Sequence, residues 1–273
     1  MCVSILPHPG TLNGAIRVQD LSMLKSRSDS LSQPRPQLPL PFVCGSAFLF
    51  ILAGALMLHA QQPTTASVVP LVDSAVKARI DNVLGYTATE HYSVFRGKDE
   101  VHPVAEMTVR TTYKRDSGKS YEILSQSGSA IMRSTVLNTI LDNEKTMSQP
   151  ANQKGAWITS ANYDMQLKPG GPQTLNGRSV RVLDITPKRK TPYLIQGTLW
   201  VDAQDGSIVQ IQGTAPKSST VFSGPAQVTR QYANVSGYPE ATHLRAASTS
   251  FMFGETIVTV DYTNYQIQLR PPS

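Results

Sequence analysis

"GTLWVDAQDGSIVQIQG", residues 197–213, decides the fold. Two alternating apolar runs flank a polar turn over 202–206 that contains Asp-Gly, a strong short-range signal for an antiparallel hairpin. Alternation puts Leu199 and Val201 on the inward face, with Val209 and Ile211 opposite them across the pair. Thr198, Trp200 and Asp202 then share the other face. Asp202 is a turn residue before it is a candidate acid.

The same period of two recurs upstream. In "VAEMTVRTTYK" (104–114), Ala105, Met107, Val109, Thr111 and Tyr113 share one face, and Glu106, Thr108, Arg110, Thr112 and Lys114 share the other. "RDSGK" turns the chain into "SYEILSQ", where Tyr121 and Ile123 continue the alternation. A strand over 87–95 precedes this pair. Short strands are expected near 156–159, 162–167 and 179–186, and further ones over 227–235, 239–253 and 255–267.

Two segments have the helical period instead. "SVVPLVDSAVKARIDNVLGY" (67–86) places Val69, Val72, Val76, Ile80 and Val83 at 3–4 spacing, with Ser67 as N-cap and Gly85 as terminator. "SAIMRSTVLNTILDNEK" (129–145) aligns Met132, Val136 and Ile140 with Leu137 and Leu141. About ten strands, two helices and no βαβ alternation predict an α+β, mainly β fold. The expected form is a single curved antiparallel sheet, an incomplete barrel, with the helices covering its concave face.

The chain has 273 residues and a formal charge of +6. Its first 60 residues contain an uncharged apolar run, "FVCGSAFLFILAGALML" (42–58), behind Lys25, Arg27 and Arg35. This segment reads as a secretory signal cut after Ala60, with Met23 a candidate true start, or as an N-terminal membrane anchor. Leu58 departs from the small-x-small rule, and Cys44 precedes the apolar core, where a lipid-bearing cysteine would follow it. Residues 61–66 form a linker and 67–273 the exported domain. Both cysteines, Cys2 and Cys44, lie in the leader, so the domain has no disulfide and no thiol chemistry.

Beyond residue 60 there remain 21 basic and 17 acidic residues, dispersed along the chain, which argues against nucleic acid as a partner. His91, His102 and His243 have no metal-ligand spacing, and no nucleophile elbow or phosphate loop occurs. Glu90 and His91, being adjacent on a strand, point to opposite faces. Glu100 and His102 could share a loop face, but two ligands do not define a site. No catalytic residue, metal or cofactor is assigned, and the chain reads as a non-enzyme. Two loops are candidate contacts with a membrane surface or partner: Lys188, Arg189 and Lys190 by charge, and Val221 with Phe222 by exposed apolar surface.

At "LNGRSVRVLDITPKRKTPYLIQGTLWVDAQDGSIVQIQG" (175–213) the pattern resembles the periplasmic lipoprotein-carrier superfamily, LolA/LolB-like and including RseB-type domains. "YKRDSGKSYEIL" (113–124) is similar to that family's early hairpin and "FGETIVTVDYTNYQI" (253–267) to its closing strand. The resemblance implies a half-barrel closed by helices around an apolar cavity for acyl chains. It implies a non-enzymatic, monomeric, periplasmic protein that binds a lipid or lipidated protein, or an inner-membrane-anchored form of it. The alternative is a sensor or scaffold that binds another envelope protein, and a third is a secreted hydrolase with an unrecognised site. The expected cavity wall is Met107, Val109, Ile123, Val201 and Val258 on strands, with Val136 and Ile140 on a helix. Arg96 and Arg110 are candidates for a polar residue at the mouth, although Arg110 lies on the polar face.

Overall fold

The computed structural model describes residues 64–191, 194–215, 225–250 and 254–271. Helix α1 (Thr65–Asn82) leads into β1 (Val83–Arg96), β2 (Ala105–Lys114) and β3 (Gly118–Gly128). Then come α2 (Ala130–Met132), a π-helical turn (Arg133–Leu137), α3 (Asn138–Met147) and α4 (Pro150–Gln153). The chain finishes in strands: β4 (Tyr163–Leu167), β5 (Gln173–Leu175), β6 (Arg178–Pro187), β7 (Gln196–Asp202), β8 (Ile208–Ala215), β9 (Ala226–Val235), β10 (Tyr238–Ser250) and β11 (Gly254–Leu269). All eleven strands form one antiparallel sheet, in the order β3-β2-β1-β11-β10-β9-β8-β7-β6-β4, with β5 also on β6. Among the described residues the sheet does not close, and its strands are joined largely by hairpins, as the alternation predicts.

The hairpin expected at 197–213 is β7–β8. Leu199 faces Ile211, and all of Leu199, Val201 and Ile211 are fully buried. Each such side chain contributes about 1.5–3 kcal/mol. The expected place of Val209 is corrected: a bulge after Trp200 pairs Val201 with Ile208. Ile208 therefore joins the core cluster, which Val209, though buried, does not. The turn does more than reverse the chain. Gly206 has φ +73°, and a Cβ there would lie 2.5 Å from the carbonyl carbon of Leu71, so the glycine lets the turn sit directly against α1.

Helix α1 begins earlier than expected. Thr64 is the N-cap, its backbone N–H donates to Ser67 Oγ (3.0 Å), and Ser67 Oγ donates to the Thr64 carbonyl (2.9 Å). Ser67 is thus the third helical residue and not the cap. The helix also ends at Asn82, before Gly85. Gly85 lies inside β1, where a Cβ would come within 2.6 Å of the Tyr113 carbonyl oxygen. The α1 N-terminus covers the β4 edge of the sheet: Thr65 Oγ1 accepts from Leu167 N–H (3.0 Å), and Asp73 accepts from Ser160 N–H and Oγ. The strand expected at 156–159 is instead a 3-10 turn (Lys154–Ala156) and extended chain, held by Asn162 Nδ2 donating to the Lys154 and Trp157 carbonyls.

The helical stripe over 129–145 is present, wound through α2, the π turn and α3. Met132, Val136, Leu137, Ile140 and Leu141 are buried on the sheet. These residues join the inward positions of β1, β2 and β6–β11 in one hydrophobic cluster.

Candidate functional site

Three charges fall on the buried phase of their elements. In β1, Glu90 shares a face with Ala88, Tyr92 and Val94; in β9, Arg230 shares one with Ala226, Val228 and Tyr232. On α3, Glu144 follows Ile140 and Leu141 along the buried stripe. All three are less than 7% exposed. An isolated ion so placed costs several kcal/mol, so each needs a partner.

The partners come from distant parts of the chain. Lys119, at the start of β3, pairs with Glu144 and lies 3.4 Å from Glu90. It reaches them because Gly118, at φ +79°, allows the end of α3 to approach: a Cβ there would lie 2.8 Å from Ser148 Oγ. Ser148 Oγ in turn accepts from Lys119 N–H (2.7 Å). Tyr121 donates to Glu144 (3.2 Å) and Tyr92 to Glu90. In the last turn of α1, Arg79 makes a two-pronged bond to Glu240 of β10, at 3.0 and 2.7 Å. Arg230 donates to Tyr262 (3.2 Å), with its guanidinium 5.4 Å from the Tyr262 ring and 5.9 Å from that of Tyr232.

Arg79, Lys119, Glu144, Arg230 and Glu240 surround a cleft of about 60 Å³, with Glu90 outside its lining. Five tyrosines line it as well, Tyr86, Tyr113, Tyr232, Tyr262 and Tyr265. Tyr86 lies 5.2 Å from the Tyr113 ring and 5.6 Å from that of Tyr265. Tyr232 and Tyr262 belong to the apolar cluster as well, so cleft and core share walls. A second, apolar cavity of about 20 Å³ lies beneath α1, lined by Val76, Ile80, Trp157, Ile208 and Pro239, and Arg79 borders both.

Burial works to lower the pKa of Arg79 and Lys119, but Glu240 in the one case and Glu144 with Glu90 in the other hold both well above their ordinary values. Burial alone would raise Glu144; Lys119 and Arg230 outweigh it and keep the carboxyl below the usual range. Burial pushes the Tyr86, Tyr262 and Tyr265 phenols up, so they are neutral at physiological pH. The cleft is therefore lined by fixed charges and neutral hydroxyls.

Of the expected wall residues, Met107, Val109, Val136, Ile140, Val201 and Val258 lie together in the hydrophobic cluster, and none lines the cleft. Ile123 stands apart. It pairs with Val109, but β3 is an edge strand bulged beside this pair, and Ile123 is 49% exposed. Lys188, Arg189 and Lys190 are exposed. Lys188 donates to the Ser160 carbonyl and Arg189 to Asn162 Oδ1, which ties this loop to the chain before β4. Val221 and Phe222, and the leader, lie outside the described residues.

The histidines do not converge. Glu100 binds Arg245, whereas His102 binds Asp99 (3.0 Å). His91 lies on the outer face with Thr108, opposite buried Glu90 as expected, and His243 pairs with Asp261 (2.7 Å). Arg110 pairs with Glu122 on that outer face, and Arg96 is exposed. Among the described residues no group of three or more His, Cys, Asp or Glu could hold a metal, and no helix is long and apolar enough to cross a membrane. Alternation did carry a signal for Glu90, Arg230 and Glu144, each a charge in an apolar phase; for Arg79 and Glu240 no such signal is evident.

No protein-family model and no curated protein matches the chain. Solved structures do resemble it. A LolA superfamily protein from Nitrosomonas europaea is 13% identical, over 77% of this chain and 96% of its own, with a TM-score of 0.41. A DUF1329 family protein from Desulfovibrio piger is 14% identical over 78% and 96%, with a TM-score of 0.40. A domain assigned as an outer membrane lipoprotein-sorting protein, from Vibrio parahaemolyticus, is 12% identical over 73% and 92%, with a TM-score of 0.38.

Proposed function

We propose that this is a non-enzymatic binding protein of the cell envelope, exported to the periplasm, that takes a lipid or lipidated protein between its sheet and α1. The observation that supports this reading is the interior beneath α1. A polar cleft and an apolar cavity meet there at Arg79, beside a cluster of buried aliphatic side chains. Such an interior is complementary to an amphiphile. The head would occupy the cleft and the acyl chain would pass under α1, toward Ile208 and the β7–β8 hairpin. Acyl burial supplies about 0.8 kcal/mol per methylene, with no covalent step. The two cavities are small, so a full chain requires α1 to move outward from the sheet.

Native mass spectrometry of the full chain purified from an envelope fraction, followed by displacement of a fluorescent acyl probe, tests this. A co-purifying lipid mass and saturable, displaceable probe binding are expected. A lipid-free protein with no exchangeable probe site overturns the proposal. One observation favours the sensor reading as runner-up: the outer part of edge strand β3 exposes Ile123 and Leu124, where an extended partner segment could add a strand. Crosslinking that captures a defined envelope protein in the absence of lipid would favour that reading.

A further inference from the structure

The charges around the cleft define what kind of head it takes, an inference that rests on the amphiphile reading above. Three cations (Arg79, Lys119, Arg230) are matched by three carboxylates, Glu144 and Glu240 on the wall and Glu90 just behind it. All six are buried or nearly so, and the set is neutral as a whole. A head with net charge would add an unmatched charge to a desolvated, already balanced cluster, which is strongly unfavourable.

Glu240, Glu90 and Glu144 each accept two hydrogen bonds, about half of what a carboxylate allows. Both oxygens of Glu240 bind Arg79, both oxygens of Glu90 bind Lys119 and Tyr92, and Glu144 Oε2 accepts from Lys119 and Tyr121. Donors remain too: Arg79 uses two of its five N–H groups on Glu240. A ligand that suits this wall brings hydrogen-bonding oxygens and no charge. The Tyr86, Tyr113 and Tyr265 rings, tilted against one another, add aromatic surface against which a C–H group can pack. At about 60 Å³ the cleft holds roughly four to six water-sized groups, so it takes a glyceryl-sized head or one edge of a sugar ring and leaves the rest of the ring outside.

We propose that the cleft selects the uncharged, oxygen-rich head of an amphiphile, a glycosyl or glyceryl group, over an anionic or cationic head.

The test is calorimetric titration of the full chain with three probes of equal tail below their micelle concentrations: octyl glucoside, octyl phosphate and octyltrimethylammonium. Methyl glucoside and glycerol report the head without a tail. Octyl glucoside is expected to bind at least about tenfold more tightly than either charged probe, a difference of about 1.4 kcal/mol. Equal binding of all three, or tighter binding of a charged one, overturns the head assignment and leaves the amphiphile reading standing. No binding of any octyl probe overturns both. Methyl glucoside binding as tightly as octyl glucoside keeps the head assignment and overturns the amphiphile reading. Glu240→Gln leaves the cluster one charge positive, so the phosphate probe should gain about tenfold relative to the glucoside. An unchanged ratio in a folded variant counts against the charge argument, and if that variant does not fold the wild-type series decides alone.

Discussion

The contact of the β7–β8 turn with α1 can be measured with two glycines. Gly206 and Gly237 both sit in tight turns at positive φ, +73° and +89°. An alanine in that region costs about 1–2 kcal/mol from backbone sterics alone. At Gly237 nothing lies within 4 Å of the added Cβ, so Gly237→Ala should cost only that. At Gly206 the Cβ would also lie 2.5 Å from the Leu71 carbonyl carbon and 2.7 Å from its Cβ and oxygen. These are mostly backbone atoms of a helix, which cannot rotate away, so overpacking adds about 1–3 kcal/mol. Gly206→Ala should therefore destabilise by about 2–5 kcal/mol in all. Urea unfolding of the two variants gives the difference directly. With an m of about 2–3 kcal/mol per M, Gly206→Ala should unfold roughly 0.3–1.5 M earlier than Gly237→Ala. Amide exchange should quicken along α1 in Gly206→Ala and stay unchanged there in Gly237→Ala. Equal midpoints and equal α1 exchange would refute the packing of turn on helix.

Three further outcomes follow from the buried groups. Arg79→Met or Glu240→Met alone should cost about 3–5 kcal/mol, because each strands a buried charge, while the double variant should cost much less than their sum. Additive losses in denaturant unfolding would show that the two do not depend on each other. The Glu144–Lys119 pair sets a pH window. Glu144 is held below its ordinary 4.5, so its contribution is complete above that value and is lost as pH falls through the folded pKa. Lys119 is held above its ordinary 10.5, so its contribution is complete below that value and is lost as pH rises through the folded pKa. The pair's contribution to the unfolding midpoint should thus be constant between these limits and fall outside them, and Glu144→Gln, which leaves Lys119 paired with Glu90, should make the acid flank shallower. Val109→Ala, at a fully buried position, should cost about 2 kcal/mol, whereas Ile123→Ala should stay within about 0.5 kcal/mol. Equal losses would place Ile123 in the core with Val109.

Much of the fold was legible because it rests on local periodicity. Ala105, Met107 and Val109 alternate inward as read, and Met132 to Leu141 form the expected stripe. What failed depends on contacts between distant segments. Gly85 looked like a helix terminator because glycines often are, but its role is set by the Tyr113 carbonyl across β1–β2. Val209 and Ile208 exchange places because a bulge adds one residue on β8, which composition does not reveal. The expected wall of Met107, Val109, Val136, Ile140, Val201 and Val258 is buried, yet burial of aliphatic residues is common to a packed core and a ligand wall. Alternation alone does not separate those two roles.

The cleft was missed for a related reason. A charge in an apolar phase is either an error in the assumed phase or a residue with a partner, and that partner can be anywhere in the chain. Lys119 meets Glu144 across 25 positions, and Arg79 meets Glu240 across 161. Only the packing of the helices on the sheet brings these pairs to one place. Once there, they fix the C-terminal end of α1 and the end of α3 to the sheet through bonds that leave no net charge. The same neutrality that lets six ions remain inside an apolar fold then limits what else can join them. On the proposed reading stability and selectivity are carried by the same groups: a head that disturbed the pairing would also weaken the hold of the helices on the sheet. An uncharged head that accepts hydrogen bonds from donors left over is compatible with both.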